Sequence, residues 1–370
     1  MKVIVNGLNL SDACLKVVKA IASKTVNPVL ECIRLTAKGD DLILTATDMD
    51  FFMQKKIPAE VFMEGEVLVK GKVFADFIQK LDKEQIELST LEEGKLTIKY
   101  TDAESALPAM GAEEFPEVKT ETGEKFVTMK RGELKDLIGK VAFSCSTDDT
   151  RPLLKGSLME VNGTEVTAVA LDGYRLAVCR KQAEEVGGNF SAIIPSRILM
   201  EISRLIEGDE ETVTLSFKEN GMVVEIEDTV IYGRLIEGTF IDYKGVIPTS
   251  YSTDFIINKE SLENAISRAS VCARVDKNNL VKFDIRENTL TLKAETTIGK
   301  VNEKLMIDLN GKDLEIAFNG AYLRDALKAV DEEFVKLHFN NELSPCVLKA
   351  CEGEEFLYLL LPVRIIDIKN

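Results

Sequence analysis

The side chains able to do chemistry in this 370-residue chain are few and scattered. Histidine occurs once, as His338 in Val335-Lys336-Leu337-His338-Phe339, an alternating strand pattern that sets it on the more polar face. Zinc sites and Ser-His-Asp or Cys-His chemistry need further partners, and the sequence offers no second histidine. Seven cysteines (Cys14, Cys32, Cys145, Cys179, Cys272, Cys346 and Cys351) form no Cys-x-x-Cys pair. Most sit in apolar stretches, as reduced core thiols do, so neither disulfides nor metal ligands are expected. Neither common glycine-rich phosphate loop is present. The paired acids Asp148-Asp149 and Glu354-Glu355 lie beside turn residues and read as solvated loops. An enzyme would have to rest on acids such as Asp48, Asp148 and Asp172, too sparse a set for acid-base work. No catalytic residue, metal or cofactor is expected.

The elements that carry these residues repeat. Between Thr167 and Arg180, Asp172-Gly173 separates two apolar runs and reads as a tight hairpin with φ > 0 at both turn residues. Ala46, Ala170 and Ala294 stand in equivalent strands 124 residues apart, and Phe74, Leu199 and Leu323 recur at nearly the same spacing on helices. Each unit reads as strand, helix, strands, helix, strands. In the first, helices are expected from a Ser11 cap to Ser23 and over Gly71 to Leu81, with strands between and after them. A period this long is a domain, so the fold class is α+β, three tandem copies of one domain over residues 1–120, 121–248 and 249–370. The apolar content of 45% suits such a globular array. No apolar run reaches membrane-spanning length, and Met1 to Asn6 reads as a strand, so a cytoplasmic chain is expected.

The formal charge of −16 argues against a polyanionic partner, but its distribution does not. The six helical regions carry 18 Lys and Arg against 11 Asp and Glu, which leaves the negative charge to the rest of the chain. Lysine-rich exposed helix faces are common in any protein. Basic helices in an acidic body also suit a protein that surrounds a polyanion without gripping it.

Several segments resemble one family over the full length. They are Ala170-Leu171-Asp172-Gly173-Tyr174-Arg175-Leu176-Ala177, Phe240-Ile241-Asp242-Tyr243-Lys244-Gly245-Val246-Ile247-Pro248, Phe318-Asn319 with Tyr322, and Leu361-Pro362-Val363-Arg364-Ile365. With the threefold repeat, they are similar to the bacterial sliding clamps, the beta subunits of DNA polymerase III. The resemblance implies a head-to-tail homodimeric ring of six domains, with helices lining the hole and antiparallel sheets outside. It implies a non-catalytic ring that encircles duplex DNA without sequence preference and tethers the polymerase. Clients would include polymerase subunits, a clamp loader and replication or repair factors carrying short clamp-binding peptides.

For the peptide pocket the resemblance implies apolar walls from Leu154, Leu176, Val246, Leu359 and Leu361, extended by Pro362 and Val363, with Arg175 and Arg364 at the rim. Leu171, Gly173, Tyr174, Ile241, Asn319, Tyr322 and Leu343 complete it. Ile241 replaces a common proline, Gly245 a basic residue and Asn278 an aromatic, so client preference is expected to differ. The tail Ile366 to Asn370 would cover or extend the pocket edge. The resemblance implies that Lys24 and Arg197 face the DNA, and Lys72, Lys80, Lys135, Arg204, Arg268 and Arg324 are expected to join them. Asp148 stands where a neutral residue can touch DNA. The dimer would join the strand near Leu96 to Leu107 to that around Ile298 to Glu303, with Phe74 and Leu107 against Cys272 and Ala273. A peptide-binding scaffold without a DNA ring would share the pocket residues and need not dimerise.

Overall fold

The computed structural model describes residues 1–81, 84–118, 120–275 and 278–364. The first repeat runs β1 (Lys2–Asn6), α1 (Gly7–Val17), β2 (Cys32–Lys38), β3 (Asp41–Thr47), β4 (Phe51–Met63), β5 (Gly65–Lys70), α2 (Gly71–Ile78), β6 (Gln85–Ser89), β7 (Lys95–Tyr100) and β8 (Ala103–Met110). The second runs β9 (Lys125–Lys130), α3 (Arg131–Ala142), β10 (Gly156–Asn162), β11 (Glu165–Leu171), β12 (Arg175–Gln182), the short β13 (Glu185–Val186), β14 (Phe190–Pro195), α4 (Ser196–Leu205), β15 (Thr212–Lys218), β16 (Gly221–Ile226) and β17 (Thr229–Arg234). The third runs β18 (Thr253–Asn258), α5 (Lys259–Ala273), β19 (Leu280–Arg286), β20 (Thr289–Thr296), β21 (Gly299–Met306), β22 (Asp308–Gly311), β23 (Leu314–Asn319), α6 (Gly320–Lys328), β24 (Phe334–Phe339), β25 (Cys346–Ala350) and β26 (Phe356–Leu360).

The chain forms two compact units, Met1–Thr128 with Thr212–Leu235, and Met129–Glu211 with Ile236–Asn370. In the first, antiparallel strands follow the order β1-β6-β7-β8-β5-β2-β3-β4-β17-β16-β15, and β1 also pairs with β4. Pro58 marks where β4 changes partner. Up to Pro58 it pairs with β3, and from Ala59 to Met63 with β1. Helices α1 and α2 bury Leu10, Ala13, Cys14 and Val17, and Phe74, Ala75 and Ile78, at the three- and four-residue spacings of one helix face.

The second unit holds a nine-stranded sheet, β14-β10-β11-β12-β26-β25-β24-β18-β22, and a four-stranded one, β21-β20-β19-β23. Its paired helices are α3 with α4 and α5 with α6. Helix α1 corrects the sequence expectation. It starts at Gly7 because the Asn6 side chain accepts from Leu8 and Asn9 N–H, placing the cap five residues before Ser11. A short 3₁₀ turn, Val18–Ala20, ends it, so Lys24 lies in the following loop and not on a helix.

Candidate peptide-binding site

Leu171 and Leu176 pair across β11 and β12, so the connection between them is four residues long, not two. Only Gly173 has φ > 0, at +94°. Asp172 makes the difference: its Oδ1 accepts from Tyr174 and Arg175 N–H at 2.9 and 3.0 Å, an Asx turn that replaces the expected two-residue geometry. The first repeat builds the same turn, with Asp48 Oδ1 accepting from Asp50 and Phe51 N–H and Met49 in Gly173's place at φ +82°.

The turn aims Arg175 inward, which corrects its expected place at a rim. Its guanidinium donates to Asp172 Oδ2 (3.0 Å), Asp325 Oδ2 (2.7 Å) and the Phe143 carbonyl (2.7 Å). It also lies over the Tyr322 ring at 4.5 Å. Tyr322 stacks at 6.2 Å on Tyr174, which is mostly exposed. Asp148, Arg151, Asp172, Tyr174, Arg175 and Tyr322 line a cleft of about 290 Å³. Three backbone and side-chain acceptors thus fix an aromatic ledge whose outer face is open.

Beside the turn lies one apolar cluster. It unites Leu154, Leu171, Leu176 and Leu359 with Leu158, Val178, Val347, Leu357 and Tyr243, all buried. Cross-strand pairs such as Leu176 with Leu359 bring β12 and β26 together there. Phe240 and Ile247 pack on the cluster from the connecting segment, whose neighbours Ile241 and Val246 remain 47% and 51% exposed. After β26 the chain stays extended: Leu361 N–H donates to the Tyr174 carbonyl and Val363 N–H to that of Ala317, both at 2.8 Å. These bonds hold Leu361, Pro362 and Val363 next to the ledge, with Arg364 exposed beyond them. Asn319 caps α6, its Oδ1 accepting from Ala321 N–H at 2.9 Å. Leu343 is mostly exposed and is not a member of the cluster. The tail Ile366 to Asn370 lies outside the described residues.

Sequence reasoning missed Tyr243, Glu160 and Asp325 as parts of this region. Tyr243 stood in a segment already singled out, but nothing in sequence tied it to Glu160, 83 positions away. Glu355 lies in a loop and is partly exposed, as expected, but it is not merely solvated. It accepts from Lys140 (3.2 Å) and Lys181 (2.5 Å), which also bind Asp136 at 2.8 and 2.7 Å. Burial alone would raise the Asp136 and Glu355 carboxyls, but these lysines outweigh it and hold both below the ordinary carboxylate value.

Of the basic positions, Lys24, Lys72, Lys80, Lys135 and Arg197 are exposed. Arg204 pairs with Glu201, and Arg268 binds Glu303 through two 2.8 Å hydrogen bonds, so part of their charge is neutralised. Arg324 is half-buried. Phe74 and Ala273, expected at the dimer contact, are instead buried in the core of the single chain, with almost no exposed surface to offer a partner. Leu107 and Cys272 are partly exposed. The cysteines are free thiols. Burial pushes Cys145 up to about 11 and Cys179 to about 12, far from thiolate reactivity near neutral pH. Among the described residues no cluster of metal-ligating side chains is found.

Three tandem α+β repeats with antiparallel sheets and paired helices define a clamp-type protein. The family models agree in order: DNA polymerase III beta subunit N-terminal domain over residues 1–119, central domain over 128–242 and C-terminal domain over 244–364. The chain belongs to the DNA polymerase III beta-subunit family and is a DNA sliding clamp, a processivity factor and not a catalyst. It is similar to the beta sliding clamps of Staphylococcus aureus (31% identity) and Staphylococcus epidermidis (30%), in each case over 94% of both chains. Among solved structures it resembles the DNA polymerase sliding clamp of Bacillus subtilis (27% identity, TM-score 0.93) and a putative DNA polymerase III beta subunit of Eubacterium rectale (29%, TM-score 0.92). Each covers 99% of this chain and 100% of the other.

Proposed function

We propose that this clamp works as a head-to-tail homodimer closed around duplex DNA, with domains at residues 1–120, 121–248 and 249–370. The supporting observation is a seam that occurs twice. Strand β4 of the first repeat pairs with β17 of the second, Phe52 opposite Tyr232. Strand β12 of the second pairs with β26 of the third, Leu176 opposite Leu359. In both, the strand after the first hairpin of one repeat meets the strand after the last hairpin of the next. Applied once more, the rule matches β21 to β8. Strand β21 pairs only with β20 among the described residues, and Ala103 to Pro108 of β8 pair only with β7. Unpaired edges of this kind template strand addition, here from a second copy; the contact would be heterologous and would close into a ring when the rotation per domain fits. Leu107 and Cys272 would border it.

Exposed Lys24, Lys72, Lys80, Lys135 and Arg197 would face the DNA with Arg204, Arg268 and Arg324, few enough for weak, sliding contact. Clients, namely polymerase subunits, a clamp loader and repair factors, would lay an extended peptide over the leucine cluster. Ile241, Val246, Leu361, Pro362 and Val363 would enclose it, Gly173, Tyr174, Asn319 and Tyr322 would meet its polar end, and Leu343 and Arg364 would stand outermost. No helix among the described residues is long and apolar enough to cross a membrane, and work on DNA fits the cytoplasm. Sedimentation at micromolar concentration should give two chains per particle. A photocrosslinking residue at Leu107 should capture residues 299–306 of a second copy. A monomer at every concentration would overturn the ring.

A further inference from the structure

The segment between β17 and β18 carries two half-exposed apolar side chains, Ile241 and Val246, and has no strand pairing of its own to hold them. Between them stands Tyr243, only 4% exposed, its ring inside the leucine cluster. Its hydroxyl donates to Glu160 Oε2 at 2.6 Å, and Glu160 sits on the paired strand β10. Lys244 Nζ lies 3.6 Å from the same carboxylate and 5.4 Å from the Tyr243 ring. Burial, then Glu160, push the phenol above its ordinary pKa, so the hydroxyl stays a donor at any physiological pH.

We propose that Tyr243 and Glu160 are positioning residues for the peptide pocket: their bond pins the 236–250 segment to β10 and so holds Phe240 and Ile247 against the leucine cluster, which fixes where their exposed neighbours Ile241 and Val246 stand. The inference rests on the pocket reading given above. A charge-assisted bond at this length is short and directional, and its acceptor belongs to a rigid ladder. Loss of the hydroxyl leaves the ring buried but frees the segment to slide. The wall then has to be ordered by the peptide itself, and that cost comes out of affinity.

The test uses the full-length protein and a fluorescein-labelled pentapeptide carrying Leu and Phe, read by anisotropy. Tyr243→Phe and Glu160→Ala should each weaken binding about three- to tenfold, the range of one net hydrogen bond. Glu160→Gln, which keeps an acceptor, should recover most of it. The double variant should be no weaker than the poorer single one. Amide exchange should quicken at residues 240–247 and stay unchanged in β10 to β12, which a general loss of stability would not produce. Unaltered affinity in Tyr243→Phe and Glu160→Ala, with the wild type binding saturably, would overturn the positioning role. No saturable binding by the wild type would instead overturn the pocket reading on which it rests.

Discussion

Two carboxylates, Asp48 and Asp172, build the same turn around different residues. Each accepts two backbone N–H groups, and the residue after it takes a left-handed conformation, glycine in one case and Met49 in the other. A side chain in that region costs about 1–2 kcal/mol. At Gly173 an added Cβ would also come within 2.9 Å of the Arg151 guanidinium. Gly173→Ala should therefore lower stability by about 1–2 kcal/mol, whereas Met49→Gly should be neutral or stabilise by up to about 1 kcal/mol. The denaturant midpoints of the two variants against wild type check this; a shift of the same sign and size in both would contradict it. The turn itself was legible in Asp172-Gly173. Its length was not, because a side-chain acceptor substituted for the backbone geometry that the dipeptide usually signals.

At the level of elements, the joint between α3, β12 and the loop before β26 is an ion cluster: Lys140 and Lys181 shared among Glu133, Asp136 and Glu355. Folding lowers the Asp136 and Glu355 pKa values, so their contribution is complete above the ordinary carboxyl range and is lost as pH falls from that range through the lowered folded values. The two lysines, burial notwithstanding, are raised by these carboxylates, so their share is lost only in strong alkali. Asp136→Asn should cost about 1–3 kcal/mol at neutral pH, and the gap to wild type should narrow below about pH 4. Thermal unfolding across that range checks it, and a pH-independent gap would contradict it. Helix faces were readable because apolar residues recur every three or four positions, as in Ile198, Leu199, Ile202 and Leu205. The start of α1 was not, since Asn6 outcompetes Ser11 as the cap only through bonds that form once the helix exists. The ion pairing of the loop residue Glu355 was hidden for a similar reason: its partners come from α3 and β12, more than 170 residues earlier.

For the whole molecule, the spacing of Ala46, Ala170 and Ala294 made the threefold design legible, since equal intervals of strand residues follow directly from duplicated folds. How the repeats join was not, because seam partners such as Phe52 and Tyr232 carry no mark that distinguishes them from ordinary strand residues. The seams also explain why the compact units cut across the repeats: β17 pairs with β4, and so β15 to β17 of the second repeat belong with the first. A chain with two internal seams and the matching edges β8 and β21 is the physical case for a closed ring. The most direct measurement is topological. The protein is placed on nicked circular DNA by a clamp loader, washed in high salt, and the DNA is then linearised. Salt removes charge contacts but not encirclement, so the account predicts retention on the circle and loss from the linear form. Release from intact circles in the salt wash, with loading confirmed beforehand, would contradict it.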